Sequence, residues 1–454
     1  MDEPGWSVPR TPRSRSSSFP LLHAERGALV FDVVAGGSGS AVEGAGEWAY
    51  RRRVLPGGRP DAPGPRLVGL VADDVTGASD SAVQFATGGW SAHLLLDPDG
   101  APDIGALAPC LLAVATGVRA AGDEAAAVAT ARAVRSLMTR GCDRLYVKVD
   151  STMRGSVAGQ LRGALAAWKL RHPGAIAVLC PAFPGQHRVV VGGRVLVGGL
   201  PLAHAAAATD PVAPVRETRV DRLVPSAVTV DLPGLRSAFE LRRVGRDGPE
   251  LVSVDAATDD DLAAIAAELD RLGPAAVAAG SAGLAGALAR QWSAGRCLSA
   301  APEVGRCARV LVGVSSLHPV TTESVERLRE ALAARDDAGR GRVDVVTTPT
   351  TRTDAATVAA SFGAQMAEQL SRARYDALVL VGGDGAAATL GRIGASAITV
   401  HAALARGVPL GRIVGGTASG LRIVTKSGGF GDGDSLVRIL DRLQPLCSSR
   451  KEQS

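Results

Sequence analysis

An apolar run at residues 67–71 stops abruptly at Asp73-Asp74 and gives way to a helix-forming stretch over 76–86. That event recurs along the chain, and the recurrence constrains the fold more than any other feature. The runs 111–115, 145–149 (Lys148 apart) and 176–180 are too short for buried helices and too uniformly apolar for half-exposed strands. They read as strands covered on both faces. Between them, 123–139 carries a helical period with Arg132 and Arg135 facing outward. Strands alternating with helices predict an α/β fold built on a parallel sheet. Hydrophobic residues make up 46% of the chain but aromatics only 3%, so the core must be packed from Ala, Val and Leu.

A length of 454 residues favours more than one domain. Residues 1–65 are rich in Gly, Pro, Arg and Ser without a sustained period, which predicts a loosely attached extension whose removal leaves folding intact. A first lobe is expected over 66–300. Within it, Gly192-Gly193 and Gly198-Gly199 punctuate short valine runs as in a hairpin, and 259–272, 275–279 and 281–292 read as helix, strand and helix. A linker is expected at 296–306. A second lobe, 301–454, repeats the pattern: strands at 310–314, 343–347, 377–381, 398–400 and 422–425, with helices at 321–334, 355–372 and 435–443. The predicted fold is two lobes, each with a largely parallel sheet flanked by helices, and an active site in the cleft between them.

Several function classes are disfavoured. The net charge of +5 is spread among interspersed Arg and acidic residues, which argues against a nucleic-acid surface. The six cysteines form no C-x-x-C pair, so neither a zinc knuckle nor a redox motif is indicated, and a reducing cytoplasm fits best. No apolar run is long enough to span a bilayer. The Arg- and Ser-rich stretch 11–18 superficially suggests a transit peptide, but Asp2, Glu3 and Glu25 spoil the acid-poor signature. A Walker G-x-x-x-x-G-K-[ST], the protein-kinase H-R-D and D-F-G strings, a G-x-G-x-x-G after the first strand and an H-E-x-x-H are all missing. His187 and His318 lie near motifs, yet a lone loop histidine is more often incidental.

Chemistry-bearing residues gather where the strands end, which is where open α/β sheets bind ligands. Asp73 and Asp74, followed by Thr76-Gly77, suit hydroxyl recognition or proton abstraction; a plain helix cap is the competing reading. Lys148, Asp150, Ser151, Thr152 and Arg154 cluster after another strand, where cations could hold a carboxylate. Arg119 falls at the same edge. Pro181-Ala182-Phe183-Pro184, with Arg188 following, is a rigid loop after a further strand. Gly280-Ser281-Ala282-Gly283 opens a helix, for anion binding or for close packing. In the second half, Ser315-Ser316, Gly382-Gly383-Asp384-Gly385 and Lys426-Ser427-Gly428-Gly429-Phe430-Gly431 are small or glycine-rich turns that together suggest a nucleotide cradle.

In this order these strings resemble the four-carbon acid sugar kinases, formerly a domain of unknown function. The resemblance rests on 72–80 (A-D-D-x-T-G-A-x-D), 148–155 (K-x-D-S-T-x-R-G), 181–184 with Arg188, Thr209-Asp210-Pro211, 280–284 and 426–431 (K-S-G-G-F-G), and covers about 66–443. It implies a two-lobed kinase that uses ATP and Mg2+ to phosphorylate the terminal hydroxyl of threonate, erythronate or a 3-oxo-tetronate. By the same resemblance, Asp73, Arg119, Lys148, Ser151 and Arg154 are substrate-side residues. Asp74 or Asp150 takes the hydroxyl proton, and Ser315, Ser316, Gly382, Gly383, Asp384, Gly385, Gly428 and Gly429 face the nucleotide. No metal-ligating residues of the protein are implied. The expected partner is a small sugar acid, with no nucleic acid and no membrane, and oligomeric state is open, a homodimer being one option. The chain departs from the family at Ser315, where Gly is usual, at Gly385, where Thr is usual, and at Ser324, where Gln is usual. It also lacks an acid before Gly407 and an acid near the Arg119 loop. Those departures motivate an alternative, a sugar-acid sensor or decayed kinase with a weakened ATP site. A dehydrogenase is a further rival, but Asp73-Asp74 stands where its dinucleotide fingerprint would be.

Overall fold

The computed structural model describes residues 67–97, 109–210, 212–243, 248–293, 305–334, 341–349 and 354–444. The extension 1–65 and most of the linker 296–306 lie outside them. In the first lobe the elements run β1 (Leu67–Ala72), α1 (Val75–Thr87), β2 (Ser91–Leu95), β3 (Cys110–Ala115), α2 (Asp123–Thr139), β4 (Arg144–Lys148), α3 (Val157–Trp168) and β5 (Ile176–Cys180). A small three-stranded sheet follows, from β6 (Arg188–Val191), β7 (Arg194–Val197) and β8 (Leu200–Pro201), and then α4 (Val220–Leu223), β9 (Ala227–Val230), α5 (Leu232–Arg243), β10 (Leu251–Val254), α6 (Asp259–Leu272), β11 (Ala276–Gly280) and α7 (Ala282–Trp292). The second lobe runs β12 (Arg309–Val314), α8 (Pro319–Ala333), β13 (Arg342–Thr347), α9 (Ala355–Arg372), β14 (Ala377–Val381), α10 (Gly383–Arg392), β15 (Ala397–Ala405), β16 (Val408–Val414), β17 (Arg422–Lys426) and α11 (Ser435–Leu443).

The strand–helix alternation is as the sequence predicts, but the two sheets are one. Fourteen strands follow in the order β13-β12-β14-β17-β16-β15-β2-β3-β1-β4-β11-β5-β10-β9. The lobes join where β15 pairs antiparallel with β2, Ile398 opposite Leu94 and Thr399 opposite His93. Here His93 Nδ1 lies 3.3 Å from the Thr399 hydroxyl and His93 Nε2 lies 2.8 Å from the Ser91 hydroxyl. The expected short strand 398–400 is thus the first part of a longer hairpin arm, antiparallel to both its neighbours.

Because β15, β16 and β17 are antiparallel in turn, the parallel strands of the second lobe run opposite to those of the first. Six interstrand steps separate β14 from β1. At roughly 20–25° of twist per step, strand direction rotates by on the order of 120–150° between them. Reversal plus twist brings the carboxyl ends of both parallel sets to one cleft. Packing follows the pleat. In β14, Leu378 and Leu380 join a core shared with Val71 and Phe85 of the first lobe, whereas Val379 and Val381 join a separate core with Leu328 and Ile439.

Candidate active site

In the first lobe, Asp73 and Asp74 end β1, Arg119 follows β3, and Lys148 to Ser151 end β4, three adjacent strands. Arg119 grips Asp73 with two prongs, Nε to Oδ2 at 2.7 Å and Nη2 to Oδ1 at 2.8 Å, and gives Nη1 to Asp74 Oδ2 at 2.8 Å. Asp74 also caps α1. Its Oδ1 accepts from Gly77 N at 2.6 Å and its Oδ2 from the Thr76 hydroxyl at 2.8 Å. The capping reading and the chemical reading therefore hold for the same carboxylate. Burial works against its charge, but Arg119, Lys148 and the cap together hold it below the usual carboxylate range. Lys148 is buried, donates to Val149 O at 2.8 Å and lies over the first turn of α1.

Asp150 is saturated. Arg154 meets it with Nε at 3.0 Å and Nη2 at 2.9 Å, and Thr152 donates both its N–H and its hydroxyl. Burial opposes its ionisation, yet Arg154 and Arg119 hold it well below the usual range. Arg154 also reaches Asp210 at 2.9 Å, whose other oxygen accepts from Val212 N and Ala213 N. Ser151 is buried beside them. The structure thus brings together Asp73, Asp74, Arg119, Lys148, Asp150, Ser151 and Arg154. The Gly280–Gly283 turn serves packing instead. A Cβ at Gly283 would lie 2.8 Å from Ala182 O, and Ser281 caps α7 and donates to that same carbonyl at 2.6 Å.

In the second lobe, Ser315-Ser316, Gly382 to Gly385 and Gly428-Gly429 end β12, β14 and β17, again three neighbouring strands. Gly382, at φ +105°, turns the chain into α10. Thr321 donates to Gly428 O at 2.8 Å, which lays the β17 loop on the end of β12. Lys426 sits inside that loop, donating to Ser427 O at 3.1 Å and Phe430 O at 2.6 Å, and burial lowers it to about 8. The two departures at this edge explain each other. A Cβ on Gly385 would collide with the side chain of Ser315, which fills that space and donates its hydroxyl to Val381 O at 3.1 Å. Against the Gly and Thr that the resemblance implies at these two positions, the hydroxyl stands here on the strand instead of the helix. Ser324 likewise takes a structural role, donating to Asp432 O at 2.7 Å.

The lobes meet at Asp74. A Cβ at Gly383 would stand 2.5 Å from Asp74 Oδ2, so the N-terminus of α10 touches the carboxylate of the other lobe, and only glycine permits the approach. The helix dipole favours a negative charge there. Asp384 reaches solvent from the first turn of α10, and its carboxyl is pushed up by desolvation and then by the Asp74 charge. Farther along the seam, the Arg188 guanidinium lies 5.0 Å from the centroid of Phe430, which stands edge-on to Phe183 at 6.3 Å. Arg406 donates to Gly185 O at 2.7 Å across the same line. Sequence reasoning gave no role to Asp80, Arg188, Asp210 or Lys426. All four lie inside the motif strings, but their surroundings, which bury Asp80 and Lys426 and half-bury Arg188 and Asp210, leave no mark in residue type.

Residues 68–288 match the profile of a sugar-binding N-terminal domain, and residues 320–436 that of a nucleotide-binding C-terminal domain. A D-threonate kinase of Bordetella bronchiseptica is 36% identical over 84% of this chain and 98% of its own. A 3-oxo-tetronate kinase of Methylobacterium radiotolerans is 28% identical over 83% and 99%. A solved structure from Salmonella typhimurium shares the fold with a TM-score of 0.64 at 21% identity, covering 82% of this chain and 98% of that one.

Proposed function

The chain belongs to the four-carbon acid sugar kinase family, and on that premise we propose that it transfers the terminal phosphoryl group of ATP to a hydroxyl of a four-carbon sugar acid. The observation that carries the reading is the contact of Gly383 with Asp74. It places backbone N–H groups suited to phosphate beside a carboxylate that is ionised at neutral pH. We assign the sugar acid to the lobe 66–300 and the nucleotide to 301–454, an assignment supported by the two domain profiles.

In this reading the acceptor hydroxyl lies against Asp74 Oδ2. Its oxygen bonds to the γ-phosphorus while the bond from that phosphorus to the β,γ-bridging oxygen breaks. The hydroxyl proton passes to Asp74, and ADP leaves. Asp150 is the weaker candidate for the base, because its oxygens take four hydrogen bonds from Arg154 and Thr152 where those of Asp74 take three. It fixes Arg154 instead. Arg119 uses three of its five N–H donors on Asp73 and Asp74. Two remain, with Lys148 and Ser151, for the substrate carboxylate. Phosphoryl transfer needs positioning and charge neutralisation more than covalent help.

Mg2+ would accompany ATP. No group of three or more His, Cys, Asp or Glu side chains converges on a metal-sized space among the described residues. That donor set fits an ion held chiefly by phosphate oxygens with one or two carboxylates. Asp384, in the first turn of α10 and within reach of the Asp74 charge, is the residue that would hold it. When bound, it would neutralise charge on the phosphate oxygens. The sensor alternative loses its motive at Ser315 and Gly385, since their exchange keeps a hydroxyl at the turn.

The test is a coupled ADP-release assay with Mg-ATP against D- and L-threonate, D- and L-erythronate and 3-oxo-tetronates. Turnover of one member supports the kinase and identifies its acid. Silence across the panel, from folded protein that binds a sugar acid but no ATP by calorimetry, returns the sensor.

A further inference from the structure

Three guanidinium groups of the first lobe stand at this cleft, and they differ in one respect. Arg119 is matched by Asp73 and Asp74, and Arg154 by Asp150 and Asp210. Their charge is used in holding the carboxylates in place. Among the described residues Arg188 has no carboxylate partner in hydrogen-bond range. It donates Nη1 to the carbonyl of Gln186 at 2.8 Å, and its Nε is buried without a partner. Apart from the Phe430 ring it has little to justify its burial. The charges that act on it are those of Asp150, Arg154 and Asp80 from its own lobe, and it also acts on His318 of the other.

The backbone is arranged to aim it. Among the described residues only Met153 and His187, apart from glycines, have positive φ, each at 56°. Each immediately precedes a cleft arginine, Arg154 and Arg188. Left-handed backbone at a non-glycine residue is strained and persists where the surroundings enforce it. At His187 they do so through the paired amides and carbonyls of Phe183 and Arg188, at 2.7 and 3.2 Å. The side chain so directed ends over Phe430, within the loop that carries Gly428 and Gly429. An unmatched cation on the sugar-acid lobe is therefore held against the nucleotide-side loop, within electrostatic reach of Asp150 and Asp80.

Resting on the kinase reading above, we infer that Arg188 neutralises the phosphoryl group as it passes between the lobes. A group in flight carries charge on its three peripheral oxygens, and a guanidinium with free, pre-aimed donors stabilises it in the transition state more than in either bound ligand. Arg119 and Arg154, already paired, are positioned for the ground state.

The experiment compares Arg188→Met and Arg188→Lys with the parent enzyme. It measures kcat, the KM of ATP and of the sugar acid that the panel identifies, the activity ratio for that acid over the corresponding polyol, and formation of a tight complex of ADP, aluminium fluoride and the acid. Expected for Arg188→Met is a fall in kcat of about 10²- to 10³-fold, both KM values within about threefold, and loss of the aluminium fluoride complex. Arg188→Lys should recover part of kcat, since a point charge replaces the fork. An unchanged kcat overturns the assignment. So does a raised KM for the acid with kcat held and the preference over the polyol lost, which would make Arg188 the carboxylate anchor. If the parent enzyme turns over no acid and binds no ADP, the kinase reading falls with it, an outcome separate from an active parent whose Met variant is equally active.

Discussion

Asp80 lies on the face of α1 one turn beyond Gly77, buried, with Oδ1 unpartnered. Burial pushes its carboxyl up to about 6, with Asp74 adding to the push and Lys148, Arg188 and Arg406 opposing it. The folded state thus holds a proton that the unfolded state, near 3.8, has released. The favourable contribution is complete below about pH 4 and is lost as pH rises through 6. Asp80→Asn removes that loss. Its stability relative to the parent should climb by about 3 kcal/mol at most between pH 4 and pH 7, raising its relative melting temperature. A constant offset across that range, measured by thermal melts in matched buffers, would show that Asp80 does not titrate there. Asp74 makes the complementary case. Asp74→Asn should lower kcat by about 10²- to 10⁴-fold, the range for a lost general base, with ATP affinity by calorimetry nearly unchanged. Full turnover by the Asn enzyme would end its assignment as the base. Asp74 could be singled out from sequence because paired acids at a strand end are a local pattern. Asp80 could not, because its character comes from burial under elements distant in sequence, which Lys148, Arg188 and Arg406 only partly offset.

At the level of elements, the end of β12 and the start of α10 act as one packed unit. Ser315→Gly alone leaves a void and deletes a hydroxyl, and Gly385→Thr alone drives a side chain into Ser315. The double exchange should restore much of what each loses, with a coupling of about 1–3 kcal/mol in stability and a parallel recovery of the KM for ATP. Additive losses in the double mutant would mean that the two positions do not share the space. Sequence reading saw both residues as separate defects, since a string has no way to show that positions 70 apart touch. It fared well where strands are buried on both faces, as in β5 and β14, whose limits match the apolar runs. It missed β2, where Ser91 and His93 interrupt the apolar signal. It also cut β15 short, because its far half alternates between buried and exposed positions as the arm of a hairpin.

For the molecule as a whole, one sheet and one large core run through both lobes. Thermal unfolding should therefore be a single transition with matching calorimetric and van't Hoff enthalpies; two resolved transitions would show the lobes to be energetically separate. The same joint has a consequence during synthesis. Strand β2 leaves the ribosome about 300 residues ahead of β15, the strand that covers its open edge. At translation rates of roughly 5–20 residues per second, that edge waits on the order of 15–60 s for its partner. An uncovered strand is a template for pairing with any other chain. The polar Ser91 and His93, which hide β2 from a reader of the sequence, also make that bare edge less adhesive while the nascent chain waits for its second half.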